Sequence, residues 1–395
     1  MASTTALRPS PEFREALLER GGGSATKCYQ CATCSSVCQL SPEGAPFPRR
    51  QLLWAQWGLA DRLTADPAAW LCHQCNDCSV RCPRDARPGD VLQAVRGLAV
   101  EALAVPAFLG RCVAHARTTW PLLLGLPILF WLALLAGTGL LHVPPDFHAY
   151  EQFVPHWLIY AVFLPMAGFV MLASFTGGRR LWHALGNGVP RSGSFLAELG
   201  PVALEIATHK RFGECGQARY RRVGHLALFW GFVGAAVTSG LLIVAIYVQG
   251  ESMPLGLGHP YKILGNVSAV LLLLGGGLLV ANRLTQEDRV GGSTAFDWFF
   301  NGVVALVILT GVVAELARLL AGNGTLPAAV AVGVYVVHLG VVTTLFVTFP
   351  YSKFAHLVYR TLAMVHERMA RVSGAAGPEA EPSLPSGAKA PQTRS

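Results

Sequence analysis

Six apolar segments, each long enough to cross a bilayer, dominate the second and larger part of this chain. A helix spans the hydrocarbon core with roughly 20 apolar residues, and a segment exposed to lipid must satisfy its own backbone hydrogen bonds. The segments therefore predict six transmembrane helices. Their expected bounds are 118–141, 154–176, 223–249, 260–281, 297–317 and 326–349.

Composition agrees with a membrane protein. Of the 395 residues, 52% are hydrophobic and 14% are charged, whereas about 25% are charged in an average soluble chain. This balance excludes a soluble globular enzyme, a secreted module and a disordered regulator. Although 31 Lys and Arg against 23 Asp and Glu give a net charge of +8, the positive charges rarely form runs, so we expect no nucleic-acid partner.

The chain divides into three predicted parts. Residues 1–116 are polar and rich in cysteine, and they begin without the apolar core of a signal peptide, which predicts a cytoplasmic domain. Residues 117–371 hold the apolar segments and form the membrane domain. Residues 372–395 are rich in Pro, Ala, Gly and Ser and are predicted to be a disordered tail.

The positive charges predict the orientation, because Lys and Arg remain in the cytoplasm during insertion. With the N-terminus inside, 29 of the 31 Lys and Arg residues fall in cytoplasmic segments, and only Lys262 and Arg318 lie outside. We therefore expect both termini and the cysteine-rich domain in the cytoplasm.

Eight of the ten cysteines form two copies of the motif C-x2-C-x2-C-x3-C, at residues 28–38 and 72–82. Three thiolates at this spacing can bind one 4Fe-4S cluster from one side. In two-cluster ferredoxins the fourth cysteine of the motif binds the other cluster. The predicted ligands of the first cluster are Cys28, Cys31, Cys34 and Cys82. Those of the second cluster are Cys38, Cys72, Cys75 and Cys78.

Two zinc sites are the alternative interpretation, since zinc also takes four cysteines, although zinc motifs usually pair C-x2-C units. The second motif is followed by Pro83, but the first is followed by Gln39. Cys112 and Cys215 stand outside the motifs and are expected to be structural. His73, inside the second motif, is expected to be exposed.

The segment between the motifs is predicted to be helical. Apolar residues from Leu52 to Leu63 recur at helical spacing, and Asp66 followed by Pro67 is typical of an N-cap and the first helical residue. This favours an all-α two-cluster domain, of the kind in succinate dehydrogenase iron-sulfur subunits, over a small β-rich ferredoxin. The predicted fold class is all-α throughout.

Histidines at membrane depth suggest a b-type haem, because buried ionisable groups there are costly and are usually functional. His225 opens the third predicted span and His356 closes the sixth on the same side, so the two imidazoles can bind one haem from both faces. His338 precedes His356 by 18 residues, or five turns on one helix, about 27 Å away. His338 could therefore serve a second haem, with His156 or His259 as partner or as a five-coordinate haem.

Lys262 lies at the outer end of the fourth predicted span. It is expected either to reach the membrane interface or to contribute to a quinone pocket. These two interpretations stay open on the sequence alone.

The two halves of the chain resemble different families. Residues 28–83 resemble the C subunit of heterodisulfide reductases. Residues 154–360 resemble the membrane cytochrome b of respiratory nitrate reductase, through the segment HLALFWGFVG that begins at His225 and through His338 followed by FPYSKFAH, which ends at His356. The fused order is similar to that in the quinone-interacting membrane-bound oxidoreductase (Qmo) family. Ala235 stands where the cytochrome has its fourth haem ligand.

This resemblance implies a role, a location and partners. His225 and His356 would bind the haem nearest the cytoplasm, and Lys262 would match a quinol-contacting lysine. The quinone would be menaquinone or ubiquinone, and the location would be the prokaryotic inner membrane. The partners would be flavin-containing, heterodisulfide-reductase-A-like subunits (QmoA-like and QmoB-like) that exchange electrons with adenylylsulfate (APS) reductase.

The expected function is electron transfer within a quinone-linked oxidoreductase of dissimilatory sulfur metabolism. The sequence contains no Gly-rich dinucleotide motif and no nucleophile elbow, so no catalytic residue is predicted. One alternative is a heterodisulfide-reductase-like membrane subunit that serves another cytoplasmic dehydrogenase. Another is a membrane-anchored redox sensor or scaffold.

Overall fold

The computed structural model describes residues 7–42, 45–186, 190–213, 219–285 and 291–372. Within these ranges the chain is helical and contains no strand, and six helices are long and apolar enough to cross a membrane, so the predicted fold class is confirmed. Cys215 and the predicted tail, apart from Val372, lie outside the described residues.

The cysteine-rich domain consists of short helices around one longer helix. Asp66 caps one of the short helices by accepting a hydrogen bond from the Ala68 amide at 3.1 Å, and Pro67 is its first residue, as predicted. Buried leucines and valines, including Leu52, Leu63 and Val91, form the core. The helices are α1 (Pro11–Leu17), α2 (Thr33–Ser36), α3 (Arg49–Trp57), α4 (Ala60–Thr64), α5 (Pro67–Leu71), α6 (Asp77–Val80), α7 (Pro88–Leu103) and α8 (Ala107–Ala114).

The membrane domain contains the six long helices and two further amphipathic ones. The long helices are α9 (Ala116–Gly137), α10 (His156–Leu185), α12 (Arg219–Val244), α13 (Pro260–Thr285), α14 (Ala295–Gly322) and α15 (Ala328–Thr348). The other two are α11 (Phe195–Thr208) and α16 (His356–Val372). Helix α10 runs nine residues beyond its predicted end at residue 176 because Leu181 and Leu185 are buried in a core outside the apolar segment.

This core attaches the cysteine-rich domain to the membrane domain. Trp70 and Val100 of the cysteine-rich domain are buried together with Leu181, Val202 and Tyr359 of the membrane domain. The Trp70 and Tyr359 rings lie 5.0 Å apart. Since burial of large apolar side chains stabilises an interface, the two domains form a continuous structure at one end of the helix bundle.

A buried carboxylate reinforces the same junction. Asp297 is 0% exposed at the start of α14, where it accepts a hydrogen bond from Gln93 of α7 at 2.7 Å and pairs with Lys353 at 2.5 Å. Asp90 accepts a hydrogen bond from the Gly292 amide at 3.1 Å. Removing either acceptor would leave partly buried donors without these partners, which weakens the junction.

The chain breaks its helix just after the sixth span. Helix α15 stops at Thr348, two short 3-10 turns follow with an extended residue at Ser352, and α16 begins at His356. Pro350 has no amide hydrogen to continue the helical hydrogen bonds. The prediction that His338 and His356 lie in phase on one continuous helix is therefore wrong, because they occupy α15 and α16.

Candidate redox site

The structure brings the eight motif cysteines together as two groups of four. Cys28, Cys31, Cys34 and Cys82 line one small cavity. Burial raises the pKa of Cys34, and the thiolate charges of Cys28, Cys82 and Cys31 add to that effect. The fourth cysteine of the second motif thus lies beside the first three of the first motif.

The second group contains Cys72, Cys75 and Cys78 of the second motif and Cys38 of the first motif. Burial, with added charge from Cys72 and Cys75, raises the pKa of Cys38 to about 11. The pKa of Cys78 is also raised, first by burial and then by the charges of Cys72, Cys75 and Cys38. Each group therefore takes three cysteines from one motif and one from the other, the arrangement typical of two-cluster ferredoxins.

Each motif contains the same kind of backbone turn, which directs its cysteines inward. Gln30 and Ala32 in the first motif, and Gln74 and Asn76 in the second, have left-handed φ angles of 60°, 67°, 50° and 62°. The amide of Gln30 donates to Cys28 Sγ at 3.4 Å, and that of Gln74 donates to Cys72 Sγ at 3.3 Å. Amide donors to sulfur stabilise thiolates and raise the reduction potential of a bound iron-sulfur cluster.

Three arginines, two of the membrane domain and one of the cysteine-rich domain, bind backbone carbonyls around the start of the second motif. Arg360 donates to the Cys72 carbonyl at 3.1 Å, Arg221 donates to the Gln74 carbonyl at 2.6 Å, and Arg96 donates to the Ala69 carbonyl at 3.0 Å. Because Arg360 and Arg221 belong to the membrane domain, they fix the second cysteine group at the junction.

His73 lies inside this junction and is 4% exposed, so the prediction that it is exposed is wrong. Its Nδ1 accepts a hydrogen bond from Arg360 at 2.9 Å. Burial, together with the charges of Arg360, Arg221 and Arg211, lowers the pKa of His73 to about 3. The imidazole is therefore neutral at physiological pH, with its ring 5.6 Å from that of Phe212.

The structure also brings His225 and His356 together, as the sequence predicts. Their ring centroids lie 6.1 Å apart and the rings are nearly perpendicular, at 83°. His225 lies in the first turns of α12, and His356 opens α16. Burial lowers the pKa of His356 to about 4, which keeps it in the neutral form that can coordinate a metal.

Both imidazoles are anchored through Nδ1. His356 Nδ1 donates to the Lys353 carbonyl, and His225 Nδ1 pairs with Nε2 of His209 at 2.7 Å. A metal-binding imidazole typically uses one nitrogen for such an anchor and the other for the metal. Nε2 of each residue could therefore provide an axial ligand to a b-type haem.

Sequence reasoning missed His209. This residue follows α11 with a left-handed φ of 50° and is 5% exposed, although it lies outside any membrane span. Nothing in its local sequence pattern marks it as a partner of His225, because the contact depends on how α11 packs beside α12. Only a search for a further histidine that could contact each candidate ligand would have identified His209.

A series of rings connects the second cysteine group to the histidine pair. His73, next to Cys72 in the chain, lies 5.6 Å from Phe212. Phe212 lies 5.6 Å from His225, which lies 6.1 Å from His356. We refer to His73, Phe212, His225 and His356 as the ring series. Successive ring centroids in this series lie 5.6, 5.6 and 6.1 Å apart.

A cavity of about 1670 Å³ extends from this junction into the helix bundle. Cys72, His73, His225 and His356 line it, and so does His338. Ligand cavities commonly measure about 300–1,000 Å³, so this cavity has room for more than one small organic group.

The structure does not bring His156, His259 or Lys262 to His338. His156 lies 3.6 Å from Glu151, and the His259 ring packs 4.8 Å from Tyr261. Neither histidine lines the cavity, so the geometry gives no support for pairing either with His338. Lys262 binds Glu315 at 2.7 Å, and Arg318 binds the same carboxylate at 2.7 Å.

Comparisons with known proteins place the cysteine groups in a described family. Residues 24–86 match the family described as a 4Fe-4S dicluster domain. The chain is similar to the C subunit of the H(2):CoB-CoM heterodisulfide,ferredoxin reductase of Methanothermobacter thermautotrophicus, with 39% identity over 92 residues. That match covers 23% of this chain and 49% of the relative. The chain thus contains a two-cluster domain like that of the heterodisulfide reductase C subunits, and it spans about half the length of these relatives.

Two further relatives extend the comparison. A protein of Archaeoglobus profundus, described as similar to the heterodisulfide reductase C subunit, is 37% identical over 92 residues, which cover 23% of this chain and 49% of the relative. Citrate utilization protein B of Escherichia coli is 27% identical over 373 residues, which cover 89% of this chain and 93% of the relative. No solved structure matches the chain.

Proposed function

We propose that this chain is the membrane subunit of a quinone-linked oxidoreductase and carries electrons between a quinone in the bilayer and a cytoplasmic partner. A b-type haem and two 4Fe-4S clusters would supply the one-electron carriers. The observation that carries the proposal is the ring series, which leads from His73, the chain neighbour of Cys72, through Phe212 to the histidine pair.

Two ligand sets follow from the grouping of the thiols. We assign the first cluster to Cys28, Cys31, Cys34 and Cys82, which line one cavity. We assign the second cluster to Cys38, Cys72, Cys75 and Cys78, whose thiolate charges act on one another. The match of residues 24–86 to a 4Fe-4S dicluster domain supports iron-sulfur clusters over zinc.

His225 and His356 are the residues that would hold the haem. The donor set fits this group, since two imidazoles with anchored Nδ1 atoms meet across a short gap. His209 would hold His225 in the tautomer with a free Nε2, and the Lys353 carbonyl does the same for His356.

The positions of the two cysteine groups define an order of electron transfer. The second group adjoins the ring series through Cys72 and His73. In the first group Cys31 is exposed, and the neighbouring Tyr29 is 70% exposed. Electrons would therefore pass between the histidine pair and the second cysteine group, then the first cysteine group, and then the cytoplasmic partner.

The proposed identity of the partner rests on the likeness to heterodisulfide reductase subunits. We propose flavin-containing, heterodisulfide-reductase-A-like subunits that exchange electrons with APS reductase in sulfur metabolism. Residues 1–116 and both termini would then face the cytoplasm of a prokaryote, as the distribution of Lys and Arg indicates.

A second candidate partner is a cytoplasmic dehydrogenase of carboxylic acids. The observation that favours it is the similarity over 373 residues to a protein named for citrate utilization, because this match includes the membrane domain. The two heterodisulfide reductase relatives described above match over 92 residues each. The same electron-transfer chain would then connect a different dehydrogenase to the quinone pool.

The purified chain tests the electron-transfer role. Iron and haem are quantified, and the chain is titrated anaerobically, first with menadiol and then with dithionite, while optical and EPR spectra are recorded. We expect haem bands and two cluster signals, with the haem and at least one cluster reduced by menadiol. A preparation without haem, or with clusters that only dithionite reduces, would contradict the proposal and favour a sensor or scaffold.

Isolation of the complex from native membranes tests the partner. Co-purification with flavoproteins and APS reductase supports the assignment to sulfur metabolism. Co-purification with a carboxylic acid dehydrogenase, and without APS reductase, supports the second candidate.

A further inference from the structure

His338 lines the part of the cavity that the membrane-spanning helices enclose, which we refer to as the chamber. His338 is ten residues from the end of α15 at Thr348, which places it about 15 Å from that end. Ala235 is ten residues beyond His225 on α12, so it lies at a similar depth on another helix that lines the cavity. The walls of this chamber are mostly apolar, and Gly311 packs against the His338 ring, where a Cβ would lie 3.0 Å from its Cε1.

One hydrogen-bond chain fixes the proton on the His338 ring. The Thr310 hydroxyl donates to the Leu306 carbonyl at 2.6 Å, which uses its single proton. Thr310 Oγ1 also lies 2.9 Å from His338 Nδ1, and it accepts from Nδ1 when the hydroxyl proton points to the Leu306 carbonyl. In this arrangement His338 carries its proton on Nδ1 and offers a lone pair at Nε2.

Among the described residues, the chamber lacks the partner that a second six-coordinate haem would need. An electron-transfer haem takes an axial ligand on each face, and the residue at matching depth on α12 is Ala235, whose methyl group cannot ligate iron. The other described histidines that line the cavity are His73, His209, His225 and His356, and all four belong to the junction near the cysteine-rich domain. A flat apolar ligand with a hydroxyl donor fits this combination of apolar walls and a single acceptor.

We propose that this chamber binds a hydroquinone, whose hydroxyl group donates a hydrogen bond to His338 Nε2. The inference rests on the proposed function, and it assigns the quinone site to His338 rather than to Lys262 or a second haem. Because the oxidised quinone has carbonyl acceptors and no hydroxyl donor, the same tautomer favours the reduced ligand over the oxidised one.

Calorimetry on the complete purified chain tests the assignment without turnover. Menadiol is titrated into chain that dithionite has reduced, and menadione into oxidised chain, with haem content measured for each variant. We expect menadiol to bind more tightly than menadione, and His338→Leu to weaken menadiol binding about tenfold, the effect of one lost hydrogen bond. Haem content should stay at the wild-type value.

Two further variants test the chamber at other positions, in case His338→Leu does not fold. Ala235→Leu should also weaken menadiol binding by narrowing the chamber, whereas the matched control His259→Leu, outside the cavity, should not change it. Thr310→Val should reduce the preference for menadiol over menadione, because Nδ1 loses its acceptor.

The outcomes separate this inference from the proposed function. If His338→Leu loses haem, His338 is a haem ligand and the inference is wrong. If menadiol reduces the wild-type haem but binds His338→Leu and Ala235→Leu with unchanged affinity, the inference alone fails. If the wild-type chain neither binds menadiol nor is reduced by it, the proposed function fails as well.

Discussion

The cysteine-rich domain and the membrane domain build their candidate redox sites in different ways. In the cysteine-rich domain, two short motifs contain the same left-handed turn. The fourth cysteine of each motif lies with the first three of the other motif. In the membrane domain, His225, His209 and His356 come from separate elements and meet only because those elements pack together. Local sequence therefore defines the first site, and tertiary packing defines the second.

The two candidate sites should therefore respond differently to substitutions. A change at a motif cysteine removes a ligand outright, whereas a change near the histidine pair can alter an anchor and leave the ligands in place. The expected effects of substitution should therefore fall from the cysteines, through the axial histidines and their anchors, to the outer ion pair.

The largest effect is expected at the cysteines. Cys34→Ser and Cys38→Ser should each lower cluster iron from about eight to about four per chain, but they should remove different clusters. With Cys38→Ser, menadiol should no longer reduce the remaining cluster, because the lost cluster adjoins the ring series. EPR and iron analysis measure both effects.

Cys112→Ser is the matched control for these variants and should retain both clusters. If Cys34→Ser and Cys38→Ser removed the same EPR signal, the exchange of the fourth cysteine between motifs would be wrong.

The next effect is expected at the histidine pair. His356→Ala should lose the haem and retain both clusters, because it removes one axial ligand. His366→Ala is the control, since His366 is a buried histidine of the same helix that does not line the cavity. Pyridine haemochrome analysis would count against the assignment if both variants contained the same amount of haem.

A smaller effect is expected at His209. His209→Ala should weaken haem binding about 10–100-fold, the usual effect of losing an anchor behind a metal ligand, while the cluster signals stay unchanged. His209→Gln retains an acceptor oxygen and should recover part of the affinity. Haem titration of the apo chain measures both, and equal affinities in the wild type and His209→Ala would show that the contact has no anchoring role.

The smallest effect is expected at Lys262. Its partner Glu315 keeps Arg318, and the Lys262 side chain is 21% exposed, so Lys262→Gln should lower the free energy of unfolding by less than about 1 kcal/mol. Glu315→Gln should cost more, because it leaves two cations without a carboxylate. Thermal unfolding in detergent measures both variants, and a large loss of menadiol binding in Lys262→Gln would return the quinone site to this lysine.

The sequence predicts those features whose physical cause is local. The six spans follow from apolar length, and the Asp66 cap follows from the Asp-Pro pair. The pairing of His225 with His356 depends on packing, but it could be expected because the two residues lie at the same end of antiparallel spans, His356 just beyond the sixth. The crossed cysteine groups follow from a spacing rule.

Features that depend on distant packing could not be predicted in this way. His73 is buried because Arg360, 287 residues away in the chain, lies against it. The helix break before His356 is stabilised by Tyr351, which donates to the Val105 carbonyl at 2.7 Å. His209 contacts His225 and Thr310 contacts His338, and no periodicity in the sequence indicates either contact.

The central claim is that the histidine pair connects the quinone to the second cluster, so that electrons can pass between them. Freeze-quench EPR of the wild type and of His356→Ala, each mixed anaerobically with menadiol, tests it most directly. We expect rapid cluster reduction in the wild type and none in His356→Ala, although dithionite should reduce the clusters in both. Cluster reduction by menadiol at the wild-type rate in the variant without haem would contradict the account.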